Sequence, residues 1–353
     1  MTSPGGPPVR SSRADAGKIG RALVEELGPL TWDRHGPMAV ANAERNQQLL
    51  RHGRSIAELR GTSIGRRDSA IVMATGPSIA RRDPIAQIKS SGYDGALIAV
   101  DSAFGYCLRN GVIPDLVVTV DPHPTRIVRW FGDPALMQAS PGDDDYFRRQ
   151  DLDPRHADEL RANREMLDLT SRHAKGVRIA LSTSASEAVV RRVVDLGMDI
   201  YWWNPMHDDP DLPDSVSRRL IEMNGMPCIN AGGNVGSASW MIADAVLGKR
   251  SVALVGFDFS YYADTPHSRT QYYREAIDLV GEENLDDVFM WVHNPYLDQW
   301  FYADPAYMWY RAALLDMARD ADCETVNCTE GGIVFGDSIR FAPLSDFLAA
   351  ERA

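Results

Sequence analysis

The 353-residue chain has no apolar run approaching the roughly 18 residues that span a bilayer. Its first residues, MTSPGGPPVRSSR, include basic side chains but no apolar stretch of the kind that drives secretion. It has only four cysteines, and Cys323 and Cys328 lack the paired spacing of a zinc site. Cys107 and Cys228 lie in apolar segments and are expected as buried thiols. Basic residues are the minority, 37 against 49 acidic, for a net charge of -12. That balance excludes a general nucleic-acid partner, which needs a basic face, but still permits a small phosphorylated ligand in a local positive pocket. The expected location is the cytoplasm, without a membrane span.

What is present is a core. Hydrophobic residues make up 44% of the chain, enough for one large or two modest domains. Residues 1–15 are rich in Pro, Gly and Ser and read as a disordered tail. Residues 16–68 read as an N-terminal helical segment, with a second helix expected over 41–60. A catalytic domain follows over 69–336. Its apolar runs are 69–74, 96–100, 116–120, 177–181 and 251–255, each ending in a polar or glycine turn. Helical stretches at 85–90, 103–110, 185–196 and 235–247 separate most of them. Buried strands alternating with helices give an α/β fold: a Rossmann-like, mostly parallel sheet flanked by helices, with an N-terminal helical extension. Residues about 122–176 break the rhythm and read as an inserted polar and helical region. Residues 337–353 read as a C-terminal tail.

In open parallel sheets, ligands bind beyond the carboxyl ends of the strands. Four polar groups stand there. Thr75-Gly76-Pro77-Ser78 suits close backbone approach to a phosphate, and also reads as an ordinary strand-to-helix turn; it is neither GxxxxGK[ST] nor GxGxxG. Asp101 and Asp121 each end a strand, with His123 two residues beyond the latter. They suit a ribose hydroxyl, a divalent metal or an acceptor hydroxyl, and Asp101 equally suits helix capping. Asn230-Ala231-Gly232-Gly233-Asn234-Val235-Gly236-Ser237 opens an apolar helix and suits an anion or a base edge, or a capped turn. Asp258, Tyr261, Tyr262, His267 and Arg269 follow the strand at 251–255 and suit a phosphate and an acid or base. His207 and His293 are weaker candidates. Trp202-Trp203 and the 291–309 aromatics, with Tyr302, Tyr307 and Tyr310, read mainly as packing.

Taken in order, ANAERNQQLLRHGRSIAELRG, IVMATGPSIA, IAVDSAFGYCLRNGVIPDLVVTVDP, GGNVGSASWMIADAVLGKRSVALVGFDFSY and VNCTEGG resemble the motility-associated-factor glycosyltransferases. Those share a domain with the 6-hydroxymethylpterin pyrophosphokinase-like proteins. The resemblance runs from about Asn42 to about Phe347 and is weak over about 122–176. The same landmarks look like those of bacterial sialyltransferases. That likeness implies nucleotide contacts at Gly76, Pro77, Ser78, Asn234, Gly236 and Ser237, and places Tyr261 and Tyr262 near the phosphate. It implies a CMP-linked, nonulosonic-acid-type donor and a protein or glycan hydroxyl as acceptor. The chain departs from that pattern before the last long helix, where Tyr302-Ala303-Asp304-Pro305 holds no histidine. The base then falls to Asp304, His267 or His293. Two alternatives stand beside this one: a magnesium- and ATP-dependent pyrophosphokinase using Asp101 and Asp121, and a nucleotide-binding module without catalysis.

Overall fold

The computed structural model describes residues 17–138 and 156–351. The tail expected over 1–15, and 139–155 of the inserted region, lie outside the described residues. In chain order the elements begin with α1 (Lys18–Asn46), β1 (Gly53–Ser55), β2 (Ser69–Met73), the one-turn α2 (Ile79–Arg82), α3 (Pro84–Ser91), β3 (Ala96–Val100), α4 (Asp101–Arg109) and β4 (Leu116–Thr119). Then come α5 (His156–His173), β5 (Arg178–Ser182), α6 (Glu187–Asp195), β6 (Asp199–Pro205), α7 (Val216–Asn224), β7 (Cys228–Ile229) and α8 (Val235–Met241), which runs on as a π-helical turn over Ile242–Val246. The chain continues through β8 (Ser251–Val255), β9 (Tyr261–Tyr262), α9 (Tyr273–Val280), β10 (Met290–Asn294), β11 (Gln299–Ala303), α10 (Pro305–Arg319), β12 (Glu324–Asn327), β13 (Arg340–Phe341) and α11 (Leu344–Ala350).

The main sheet is parallel, in the order β1-β6-β5-β4-β3-β2-β8-β12-β13, with β7 attached to β6. Its central strands are continuously apolar because both faces are covered. Alternate residues serve opposite faces. Val72, Ile98, Val118 and Leu254 pack with Trp240 and Ile242 on one side. Ile71, Met73, Leu97 and Ala253 pack with Ile85 and Ile88 of α3 and Phe347 of α11 on the other. A second, antiparallel sheet, β10-β11-β9, stands beyond the end of β8.

The five expected strands are β2, β3, β4, β5 and β8, so the α/β fold with a mostly parallel sheet holds. Three readings need correction. The second helix expected over 41–60 is absent: α1 ends at Asn46, two short 3-10 turns follow, and β1 between them pairs in parallel with β6. The edge of β6 offers unpaired backbone groups, and Arg54 fastens β1 there by donating to Asp199 at 2.6 Å and to the Tyr201 hydroxyl at 2.8 Å. The C-terminal tail is structured as far as residue 351: β13 extends the sheet beside β12, and Leu344, Phe347 and Leu348 of α11 are buried against its face. Cys228 is half-buried rather than buried.

Candidate functional site

From β2 the chain winds through β3, β4, β5 and β6 in one direction, and then β8, β12 and β13 extend the other way. β2 and β8 are therefore neighbours at a topological switch point, and the crevice beyond their carboxyl ends is the expected ligand position. The loops leaving them are laced together. Ala74 N donates to Val255 O at 2.8 Å and Gly76 N to Gly256 O at 2.9 Å. Ser78 N and Oγ donate to the two Asp258 carboxylate oxygens at 3.1 and 2.7 Å. A Cβ on Gly76 would collide with Asp258 Oδ2 and Gly256 O, so close approach requires glycine there. Asp258 is 1% exposed, and burial pushes its carboxyl up to about 7, opposed by the Ser78 hydrogen bonds. Its carboxylate and the Ser78 side chain pin the loop from within. Thr75 and Pro77 are exposed on the loop, and Thr75 Oγ1 meets Ser102 Oγ at 2.9 Å.

At the ends of β3 and β4 the two aspartates differ. Asp101 is buried and accepts from Thr119 Oγ1 at 2.8 Å and Ser102 N at 2.7 Å. Burial pushes it to about 7, with the nearby charge of Asp121 adding to the rise. Asp121 is half-buried and reaches solvent; its Oδ1 accepts from His123 N at 2.8 Å. His123 is buried, its Nδ1 facing Thr125 N and Arg126 N at 3.3 Å each.

The glycine-rich segment caps α8. Asn234 Oδ1 accepts from Ser237 N at 2.9 Å, and Nδ2 donates to Ser237 Oγ at 2.9 Å and Gly232 O at 3.2 Å. Gly236 and Ser237 are buried, so Ser237 braces the cap. The N–H groups of Val235 and Gly236 precede the first intrahelical bond, at the positive end of the helix. Gly233 has φ +79°, and a Cβ there would strike the Trp309 ring at 2.5 Å and Tyr310 at 3.1 Å. The loop thus lies against α10.

Asp304 caps α10, accepting from Tyr307 N at 2.9 Å and the Tyr261 hydroxyl at 3.1 Å. It is 1% exposed and burial pushes it to about 6. The Tyr261 hydroxyl also accepts from Gln271 N at 2.8 Å, which turns it inward. The Tyr262 ring lies 3.8 Å from the Arg81 guanidinium, and its buried hydroxyl has no hydrogen-bond partner. His267 stacks on Phe289 at 4.5 Å and meets Tyr302 edge-on, away from the switch-point loops; burial lowers its pKa. Arg269 is exposed beside it. His293 pairs with Asp298 at 3.0 Å, and His207 rests against Trp32 at 5.1 Å. The three bases left open by the sequence are therefore a helix cap, a stacked ring and a ring in a surface hydrogen bond.

Two groups that the sequence did not single out, Arg126 and His35, and Tyr310, which it read mainly as packing, share the same electrostatic neighbourhood. Arg126 follows β4, and Tyr310 on α10 feels Asp304, Asp121 and Arg126. His35, on α1, feels Asp121, Arg34 and Arg126. Two asparagines on α1 hold the loops beneath: Asn42 donates to Pro122 O at 3.0 Å and Ser184 O at 2.9 Å, and Asn46 to Thr183 O and Ala185 O at 2.8 Å each. His35, Asn42 and Asn46 are spaced by seven and four, one face of a helix. The four-residue spacing of Asn42 and Asn46 was a readable signal in the motif ANAERN.

Residues 41–129 match the family 6-hydroxymethylpterin diphosphokinase MptE-like. The MptE-like stretch includes Asn42, Asn46, the loop after β2, Asp101 and Asp121. A solved structure, the MAf glycosyltransferase from Magnetospirillum magneticum AMB-1, shares the fold at a TM-score of 0.52 and 16% identity. The match covers 89% of this chain and 41% of that one, so the chain spans less than half of that protein's length. No curated protein matches the chain. The resemblance drawn from the motifs is met by the family model over residues 41–129 and, in fold, by the solved structure.

Proposed function

We propose that the protein transfers a sugar from a nucleotide-linked donor of the CMP, nonulosonic-acid type to a hydroxyl acceptor on a protein or glycan, in the cytoplasm. The observation that carries this reading is the cleft at the switch point. There the exposed Thr75 and Pro77, the start of α8, the Trp309 and Tyr310 rings and the half-buried Asp121 and Arg126 come from four separate segments. In this reading the aromatic rings flank the base or sugar. The α8 start and Arg126 meet the departing phosphate, supplying local positive charge in a chain of net charge -12. Asp121 faces the acceptor or a ribose hydroxyl. No helix among the described residues is long and apolar enough to cross a membrane.

The second reading, magnesium-dependent diphosphoryl transfer, is favoured by the MptE-like match. The donor set fits it less well. Asp101 is buried and bonded on both oxygens, which leaves Asp121 as the accessible carboxylate. Among the described residues no three His, Cys, Asp or Glu side chains converge for a metal.

The test is thermal unfolding with CMP and with ATP, each with and without magnesium. A ligand at one hundred times its Kd adds about 2.7 kcal/mol, a shift of several degrees. Stabilisation by CMP without metal is the expected outcome. Stabilisation by ATP alone, and only with magnesium, would transfer the proposal to the diphosphokinase. CMP binding without release of CMP from any CMP-linked sugar would reduce the protein to a binding module.

A further inference from the structure

We propose that residues 18–36 of α1 are a hinged strap across the mouth of the cleft, and that the cleft takes its ligand only when the strap swings out about Gly36-Pro37. The proposal concerns access and is independent of which nucleotide or acceptor the site takes. α1 crosses the carboxyl end of the sheet. At its start Gly17 N donates to Asp286 O at 2.7 Å. Further on it passes Trp309: a Cβ on Gly28 would lie 4.0 Å from Cζ2 of the indole. Trp32 then rests on His207, beyond β6, at 5.1 Å, and Asn42 and Asn46 reach the loops after β4 and β5. The same six-membered ring of Trp309 meets the loop that opens α8, where a Cβ on Gly233 would lie 2.5 Å from Cζ3 and 2.6 Å from Cη2. A base or sugar ring cannot pass between that loop and Trp309 while Gly28 backs the indole. Entry requires α1 to move.

The helix is held unevenly. Before Pro37 its buried residues are Gly20 and Gly36, neither of which has a side chain to bury. Gly20 lies so close to the Val288 carbonyl that a Cβ would collide with it. Contacts of this kind hold surfaces together without inserting apolar side chains, so parting them exposes little. After Pro37, Ala39, Asn42, Ala43 and Asn46 are buried, and Asn42, Arg45 and Asn46 donate to the carbonyls of Pro122, Thr183, Ser184 and Ala185. Gly36-Pro37 marks the boundary, and a second such pair, Gly28-Pro29, lies inside the strap. Each proline removes a helical hydrogen bond and crowds the carbonyl four residues back, and helices bend at such points. The Trp32 ring lies over Gly36, where a Cβ would strike it, and also covers His207, so it latches the hinge.

Opening uncovers Trp309 but leaves the loop that bears Asp121 in place, because Asn42 grips Pro122 O from the fixed side of the hinge. The site is thus assembled beforehand, and the strap governs when it is reached. Closed, it keeps water from whatever the cleft holds.

The experiment follows native-state amide exchange by mass spectrometry in the full chain, as wild type, Pro37→Ala and Trp32→Ala. Residues 18–36 are expected to exchange as a unit, about tenfold or more faster than 38–46. Pro37→Ala restores a backbone donor at an exposed position and should slow that exchange about tenfold. Trp32→Ala removes the latch and should speed it. In protein carrying 5-fluorotryptophan, the fluorine signals of Trp32 and Trp309, assigned with Trp32→Phe and Trp309→Phe, should shift or broaden together between the wild type and Pro37→Ala. Equal exchange on the two sides of Pro37 would overturn the hinge. Fast exchange of 18–36 with a Trp309 signal that ignores Pro37→Ala would mean a fraying helix end, and would overturn the strap as a cover. Association of CMP or of magnesium-ATP, whichever stabilises the protein, should slow about tenfold in Pro37→Ala; an unchanged rate would also overturn the proposal. If neither nucleotide binds, the nucleotide reading fails by itself, and exchange and fluorine signals still decide the strap.

Discussion

Asp101 and Asp258 illustrate how a polar residue at a strand end can serve the scaffold rather than the ligand. Each accepts two hydrogen bonds from its own surroundings and each is pushed up to about 7 by burial. Between about pH 4 and 7 the folded carboxyl keeps its proton while the unfolded one, near 3.9, has lost it. The unfolded state then binds fewer protons, so stability from these groups falls as pH rises through that window. At about 1.4 kcal/mol per pKa unit, the effect reaches several kcal/mol by pH 8. Asn can keep both contacts at either site without a charge. Asp101→Asn and Asp258→Asn should therefore melt more nearly alike at pH 5 and pH 8, while the wild type loses stability over that interval. Parallel pH–melting curves for all three proteins would refute this. Composition and spacing located these loops, because glycine and aspartate after an apolar run mark a strand end. They could not say which oxygens point inward, because that depends on partners such as Ser78, 180 residues away from Asp258 in sequence.

Among the elements, the strands that were legible are those covered on both faces, where continuous Val, Ile, Leu and Ala leave little choice. β6 was missed because DIYWWNP reads as aromatic packing, and both tryptophans are indeed fully buried. β9, β10 and β11 were missed because their pairing is set by one another rather than by a local pattern. α1 was legible as helix, but not its purpose. Its Asn42 and Asn46 side chains are buried and grip carbonyls on the loops after β4 and β5. Asn42→Ala leaves Pro122 O and Ser184 O without their donor, at a cost of about 1–3 kcal/mol. It should also weaken CMP binding, since the loop that bears Asp121 loses its anchor. Glu44→Ala, on the exposed side of the helix, should change stability by less than about 0.5 kcal/mol. Chemical denaturation of both variants checks the pair; equal losses would mean that α1 acts only through bulk packing.

For the whole molecule, the alternation of strands and helices was enough for the α/β class and for the location of the cleft, but not for the strand order. Nothing local tells β8 to lie beside β2 rather than beyond β6. That choice makes the switch point, and with it the crevice to which β2, β4, α8 and α10 each bring a residue.

The pairing of Ile71 with Ala253 has a consequence in time. β2 through β6 join their neighbours in the order in which a ribosome delivers them, each pairing closing a modest loop. β2 then waits with one apolar edge open until β8 has been synthesised, and such long-range parallel pairing is slow. The crevice is consequently the last part of the protein to come into being. Pulse-labelled hydrogen exchange during refolding should find the β4 and β5 amides protected before those of β8, with CMP capture appearing only in the later phase. Simultaneous protection of all three would mean that the sheet closes in a single step. Until that strand arrives, the chain is a partly built sheet with an adhesive margin, and the interval before closure is its period of greatest exposure to aggregation.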